Sequence, residues 1–588
     1  MRNSGILRDW RLLIGIVPAL AFLAIFLVYP VSQMLVLGFQ TADGGFTLAQ
    51  FGRLFESSVY VRVLLNSVQV AAYTSIFCII VGYPVAYMLS IAQARSRAFL
   101  LIWVLLPLWT SFLVRAVAWI LLLGDQGILN AALQGLGVTG APIKLIGTFS
   151  GVLIGTIHAM VPVAVMMMLS VMSGIDRRLT LAASTLGARG PQSFWRIYFP
   201  LSAPGVVAAA LIVFVNSLGF FVASQLLGGI RDIMISQLII QQVEQVFDLN
   251  FAGALSVVLL IATLLVIFVF SKVLGLSALT GEYRSPGGRK QNFAGLMRNV
   301  GLAATNGLGS ACTAIIERFD GLRPPRVSSG GIPIRLRLVV GVVLVFIATP
   351  TLVLLPASFS QSQYLTWPPR GFTTEWYSVF LATPLWGQAL LRSLLIGICA
   401  ASLAMVIGIP AAYVLGKRQF AGKSYVLTAI LIPVVLPSII IGVGLFYMYS
   451  HLGLLQTTLG LVLGHTVFAL PYVIIAMLAA LRSYDDRLDQ AAWTLGASKL
   501  TAFRTISLPL MKTGIGAAFL FGFVQSFDEL SVALFVASPT NPTLPRQLWT
   551  EALYKLSPTL AAASVVMVLI VAIPIILSQM RIGSRSRR

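Results

Sequence analysis

The sequence predicts an all-α polytopic membrane protein built as two tandem six-helix halves, with about 12 transmembrane helices in all. Three observations predict it. Of the 588 residues, 58% are hydrophobic and only 10% charged, and the mean hydropathy is +0.92, whereas a soluble globular protein carries about 25% charged residues. Apolar runs of about 20 residues recur, the length a helix needs to cross a bilayer core, and the alternating pattern of a membrane barrel is missing. Finally, one polar stretch occurs twice: DRRLTLAASTLGARGPQSFWRIYFPL at 176–201 and DDRLDQAAWTLGASKLTAFRTISLPL at 485–510.

Taken in order, apolar runs mark spans at about 11–38, 62–91, 98–123, 145–173, 203–228 and 254–277, then at about 335–360, 385–416, 424–450, 456–481, 512–537 and 558–580. The first run is too long for a signal-peptide core and no small-residue cleavage site follows it, so it counts as a span. Lys and Arg collect in alternate loops: Arg2, Arg8 and Arg11, Arg95 and Arg97, Arg177, Arg178, Arg189 and Arg196, then Lys417, Arg418 and Lys423, Arg482, Arg487, Lys499 and Arg504, and finally Arg581, Arg585, Arg587 and Arg588. Basic loops stay in the cytoplasm, which places both termini and both copies of the polar stretch there. The same rule accounts for the net charge of +22. No basic, aromatic-interleaved soluble domain is present, so nucleic acid is not an expected partner. Cys78, Cys312 and Cys399 lie far apart and form neither a disulfide framework nor a metal site.

The halves match in register. A shift of 309 lays Asp176 on Asp485, Arg178 on Arg487, Ala182 and Ala183 on Ala491 and Ala492, Gly187 on Gly496, and Pro200 on Pro509. A shift of 326 lays VGYPVAYML (81–89) on IGIPAAYVL (407–415) and Pro107 on Pro433. The difference of 17 residues falls in the outside loop after the third span. Each half enters and leaves on one side, which makes the repeat parallel, about a pseudo-two-fold axis along the membrane normal. The expected domains are a first half at 1–280, a cytoplasmic linker at 281–334 rich in Gly, Ser, Pro and Arg, and a second half at 335–588. A short interfacial helix is expected near 293–317.

In each polar stretch an Ala-rich helical segment closes at Gly187 or Gly496, and an amphipathic segment then ends at Pro200 or Pro509, thirteen residues on. Two copies at equivalent positions are more than an ordinary loop requires. The pattern A-A-x-x-x-G with the distant proline resembles the EAA loop of binding-protein-dependent ABC importer permeases of the type I, MetI-like class. In that family the loop forms a coupling helix that enters a groove on the ATP-hydrolysing subunit. The resemblance implies coupling helices at about 181–190 and 490–499, with Ala182, Ala183, Gly187 and Pro200 in one and Ala491, Ala492, Gly496 and Pro509 in the other. Both copies lack the leading glutamate, which is Leu181 or Gln490, and Phe199 replaces the Leu before the first proline. Any salt bridge the family's Glu makes is therefore absent here.

The resemblance extends over nearly all of both halves. LPLWTSFLVRAVAWILLLGDQGILN (106–130) and FFVASQLLGGIRDIMISQLIIQQ (220–242) are similar to the first permease of spermidine/putrescine-type importers. SFDELSVALFV (526–536) with LPRQLW (544–549) is similar to the second. It implies a bacterial inner-membrane subunit, two copies of a separate cytoplasmic ATPase carrying ATP and Mg, and no cofactor on this chain. It also implies a periplasmic or extracellular substrate-binding protein resting on loops such as 41–60, 125–144, 229–252, 362–384 and 539–556. The implied substrates are polyamines or similar amines; ferric iron, thiamine, sulfate and opine-like solutes belong to related permeases. The rival class is an ion-gradient-driven carrier of twelve spans, which has no need of the duplicated loop.

Charges inside spans are expensive in lipid and mark candidate pathway residues. Arg115 lies in the third span and Asp528 and Glu529 in the eleventh; their repeat partners are Ile441, Gly219 and Phe220. A carboxylate on the pathway favours a cation, with Ser526 and Trp119 as candidate neighbours; equally, a carboxylate paired with Arg115 ties the halves together. Successive helix residues point about 100° apart, so one carboxylate can do each job. Tyr83, Tyr87, Trp109, Trp119 and Tyr413 can stack on an ammonium group but more commonly pack or sit at the interface. His158, His451 and His465 have no ligand-spaced companions; His158 and His465 are expected within helix packing and His451 in an outside turn. AGKS (421–424) ends like a P-loop, yet Lys417 stands where the first glycine belongs, so no ATPase site is expected on this chain.

Overall fold

The computed structural model describes residues 10–41, 43–176, 178–188, 190–274, 333–369 and 371–585. Residues 281–332 of the expected linker, with the interfacial helix at 293–317 and Cys312, lie outside the described residues, and Ile334 already begins a helix. Among the described residues the chain is helical, and strand pairing is limited to the isolated bridges Gln40–Phe46 and Ser360–Phe372.

The first half contains α1 (Ile14–Leu37), α2 (Ser58–Ile91), α3 (Ala94–Leu105), α4 (Phe112–Leu123), α5 (Ile128–Gly135), α6 (Phe149–Met172), α7 (Arg178–Thr185), α8 (Phe199–Leu218), α9 (Val222–Leu227), α10 (Ile235–Gln241) and α11 (Leu249–Leu274). The second contains α12 (Ile334–Ala357), α13 (Pro384–Lys417), α14 (Lys423–Val435), α15 (Ser438–Leu452), α16 (Thr458–Arg482), α17 (Arg487–Thr494), α18 (Leu508–Phe527), α19 (Ser531–Val536), α20 (Leu544–Tyr554) and α21 (Pro558–Arg585). Among the described residues ten helices are long and apolar enough to cross a membrane, or eleven when α14 and α15 count as one bent span. The apolar part of α21, Pro558–Pro574, is shorter.

Each half is centred on the same trio, α2–α6–α8 or α13–α16–α18. Gly82 and Gly408 permit the close approach: a methyl on either would lie 3.1 Å from a side chain of the facing helix, Met168 or Val473. Thr148 and Thr457 start α6 and α16 by accepting from the N–H of Gly151 and Gly460. The first helix of each half leaves its own trio: α1 packs on α13, α14 and α15, and α12 packs on α2, α3 and α4. Gly444 of α15 sits against the Pro30 backbone of α1, where a methyl would meet the Pro30 carbonyl at 3.0 Å. His158 of α6 bonds through Nε2 to the Ile347 carbonyl of α12 at 3.0 Å.

Three expectations need correction. The third span of each half is broken rather than continuous. In the first half Thr110 and Ser111 are extended between α3 and α4, and in the second α14 and α15 meet at 91° across Leu436 and Pro437. Proline holds the residue before it in an extended conformation, and Leu436 has ψ of 138°. The fifth and eleventh spans also end early, at Leu218 and Phe527, with α9 and α19 as separate short helices. Finally, the expected outside loops 229–252 and 539–556 are largely internal. Ile235–Ile240 are all buried, as are Leu544, Leu548 and Trp549, because apolar faces of α10 and α20 fill the gap left by the shortened spans.

The length difference between halves is where the two shifts placed it. Leu452 and Thr458 are joined directly, whereas Leu123 and Phe149 are joined through α5. Asn130, 1% exposed, fixes that insertion: its amide donates to the Gly124 and Ile143 carbonyls and its oxygen accepts the Ile143 N–H.

Candidate functional site: the twin loops and the seam between the halves

The two polar stretches fold alike. In each a two-turn helix, α7 or α17, runs into a left-handed glycine, Gly187 with φ +85° or Gly496 with φ +88°. One alanine of each pair turns inward, Ala183 at 8% exposure and Ala492 at 7%. The residue before each glycine turns outward, Leu186 and Leu495 both at 88%. Leu179 and Leu488 are also exposed at matching positions, with Leu181 and Trp493 beside them. Each loop thus carries a matching set of exposed apolar side chains, more than a freely solvated loop requires.

After each glycine the chain makes a π turn, Phe194–Tyr198 or Phe503–Ser507, and continues directly into α8 or α18. Contrary to the sequence expectation, Pro200 and Pro509 therefore do not end a helix. They sit in the first turn of the long helix, where a missing N–H is tolerated. The segment after each glycine is therefore continuous with the spanning helix through the π turn, while α7 and α17 are set off from it by the left-handed glycine.

Both loops lie at one end of the molecule. Gly15, near the start of α1, contacts Pro410 and Val414 toward the end of α13. Lys417 closes α13 with an ion pair to Asp486 at 2.5 Å, just before α17. α1 and α2 are consecutive passes, so α2 ends at that same end, and its Ser90 meets the Tyr198 hydroxyl at 2.7 Å. Tyr83 and Tyr87, candidate cation-stacking residues, pack here against Phe194, Tyr198 and Phe199. Tyr413 is exposed.

The seam between the halves holds the in-span charges. α18 ends at Phe527, which puts Asp528 and Glu529 at a break and turns them apart. Asp528 is partly exposed and faces Ser111 and Phe112, at the start of α4 in the other half, with Arg115 beyond. Among the described residues these two charges make no ion pair within 4.0 Å; Arg115 is 5% exposed, and its Nε donates to the Ser111 carbonyl. The equivalent contact is made again by Gly219, where a methyl would lie 2.8 Å from Pro437 Cβ. Gly219 matches Asp528 and Ser111 matches Pro437, so one half brings a carboxylate to the seam where the other brings none.

Glu529, 5% exposed, turns into its own half and caps α19: Oε2 accepts from the Val532 N–H at 2.8 Å and the Ala533 N–H at 3.3 Å. His465 lies 3.8 Å from that oxygen and is held through Nδ1 by Ser526, which is 2% exposed. Trp119, 6% exposed, meets His158 edge-on and Phe346 at a tilt, the three rings forming one cluster. His451 is exposed at the end of α15 and its Nδ1 lies 2.9 Å from the Tyr447 carbonyl. Of the five candidate pathway residues, Asp528 alone reaches accessible surface.

Sequence reading missed the anchors that hold α10 and α20 inward. Ser67 accepts the Ile235 N–H at 2.8 Å and Ser393 accepts the Leu544 N–H at 2.7 Å. These pairs match under the shifts of 326 and 309, a correspondence already present in the alignment of the halves.

Both halves of the chain resemble known proteins. Residues 79–277 and 404–585 each match the family "Binding-protein-dependent transport system inner membrane component". The spermidine/putrescine transport system permease protein PotB of Haemophilus influenzae is 32% identical over 42% of this chain and 89% of its own length. PotC of Escherichia coli, also named as a spermidine/putrescine permease, is 29% identical over 40% of this chain and 89% of its own length. A solved bacterial ABC transporter involved in import of the acidic polysaccharide alginate is 20% identical, with a TM-score of 0.39 over 46% of this chain and 97% of that chain. The double family match sets aside the gradient-driven carrier, and in these systems the ATPase is a separate subunit, so this chain is no enzyme. The chain thus belongs to the binding-protein-dependent ABC importer permeases of the bacterial inner membrane, two permease units joined in one polypeptide.

Proposed function

We propose that this permease imports polyamines (spermidine and putrescine) or a similar small amine. Asp528 carries the reading: a partly exposed carboxylate stands at the seam between the halves, where a rocking motion opens and closes the path. An ammonium group entering that seam finds a counter-charge. Permeases named for spermidine and putrescine are among the relatives of each kind. Arg115 stands behind Asp528 as a buried counter-charge, Ser526 and Glu529 support the break on the other side, and Trp119 packs against His158 within the first half.

α7 and α17 are the coupling helices, each held in a groove of one of two ATPase subunits that bind ATP and Mg. Leu186 and Leu495 are the apolar anchors of that contact. Both loops and both termini face the cytoplasm, following the Lys and Arg of the adjoining loops. The opposite end receives a periplasmic binding protein on 41–60, 125–144 and 362–384. Closure of the two ATPases draws the loops together, and the π turns pass the motion to α8 and α18.

Uptake of labelled spermidine, putrescine and ferric iron into cells carrying the full system tests the substrate. The expected result is polyamine uptake reduced at least about tenfold in Asp528→Asn, the scale of one lost charged contact. Uptake of iron alone overturns the polyamine reading.

A further inference from the structure

The twin loops are built alike but braced differently. In the second, Asp489 of α17 accepts two hydrogen bonds on one oxygen, from the Tyr484 hydroxyl at 2.8 Å and from the Ser507 hydroxyl at 2.7 Å. Tyr484 follows the end of α16, and Ser507 closes the π turn that leads into α18. One carboxylate oxygen therefore joins the three pieces whose relative angle sets the direction of α17. Burial raises the Tyr484 pKa above its ordinary value, so the phenol remains a donor at physiological pH. Lys417 adds a strut from the end of α13, pairing with Asp486 and reaching the Tyr484 carbonyl at 3.5 Å.

The first loop has no counterpart to this carboxylate. Thr180 stands at the position of Asp489, Ile175 at that of Tyr484 and Tyr198 at that of Ser507. Its brace is the ring cluster of Tyr83, Tyr87, Phe194 and Tyr198, tied by the Tyr198 hydroxyl to Ser90 at 2.7 Å and the Tyr83 hydroxyl to Ser202 at 2.9 Å, with the Ser193 hydroxyl on the Thr180 carbonyl at 3.4 Å. Two short hydrogen bonds to one charged oxygen fix an angle.

We infer that Asp489 is a positioning residue for ATP coupling: it locks α17 to α16 and α18, so that motion of the ATPase on the second loop reaches the second half as a rigid-body movement. The inference rests on the reading of α7 and α17 as coupling helices. It makes the two ATPase contacts unequal in kind, the second clamped through a carboxylate where the first has Thr180.

The test uses the whole complex in lipid nanodiscs, with ATPase rate, substrate-loaded binding protein and retention of the ATPase subunit measured together. Asp489→Ala removes both acceptor bonds; the expected result is a fall of about tenfold in stimulated ATPase rate with the ATPase subunit retained, within the range of coupling effects of residues that touch neither ligand. Asp489→Asn keeps an oxygen able to accept both bonds and is expected to stay within about twofold of wild type. Equal loss in the Ala and Asn variants means that the charge itself touches the ATPase, which overturns the positioning role, as does full activity in Asp489→Ala. Should Asp489→Ala fail to fold, Tyr484→Phe and Ser507→Ala each remove one donor; partial losses that do not add support the clamp, and full activity in both overturns it. The underlying reading fails separately, if Leu186→Asp with Leu495→Asp leaves the ATPase subunit bound.

Discussion

Asp528 and Glu529 are adjacent, yet the break at the end of α18 sends one to the opposite half and the other to the N–H groups of its own chain. A buried carboxylate accepting two backbone N–H bonds is a structural part. Glu529→Ala is expected to lower stability by about 1 kcal/mol, the usual cost of losing such a cap, seen as an earlier thermal unfolding midpoint in detergent. An unchanged midpoint contradicts the capping role. The sequence showed both carboxylates as unusual, because charge within an apolar run is conspicuous. It did not show which did what, since that depends on backbone direction at residue 528 and composition says nothing of ψ.

At the scale of elements, the twin loops were the most legible feature. Ala-Ala, glycine and proline recur at one shift, and the left-handed glycines are found where the pattern put them. An L side chain in that conformation costs about 1 kcal/mol or more. Gly187→Ala and Gly496→Ala are therefore expected to raise hydrogen exchange of the amides of α7 or α17, respectively, while those of α2 and α13 stay protected. Exchange that rises equally throughout, or not at all, contradicts the local role of the glycine. The π turns and the broken third spans were not legible. Hydropathy counts apolar residues and passes unchanged through Phe194–Tyr198 or Leu436–Pro437, although a π turn or a proline redirects the backbone there. The inward turn of α10 and α20 was hidden for a related reason: their apolar segments are too short to read as spans, and what buries them is the space left when α8 and α18 stop early.

At the scale of the molecule, exchange of the first helices is what makes two halves into one machine. α1 lies on the second half and α12 on the first, so neither half can rock without moving a helix that belongs to the other. The repeat was readable from two shifts, but the exchange was not, because an alignment of halves shows what matches and not what touches. Close glycine contacts such as Gly444 on Pro30 hold that arrangement. The asymmetry of the seam, with Asp528 opposite Ser111 in one contact and Gly219 opposite Pro437 in the other, puts a carboxylate in one of two equivalent contacts and none in its counterpart. The ATPase rate of the chain assembled in nanodiscs with its ATPase and binding protein, with and without spermidine, tests this account most directly. It predicts a rate stimulated at least about fivefold by spermidine-loaded binding protein, a coupling of ordinary size, and lost in Leu186→Asp with Leu495→Asp. ATP hydrolysis indifferent to binding protein and substrate, or unaffected by the two leucine changes, would contradict it.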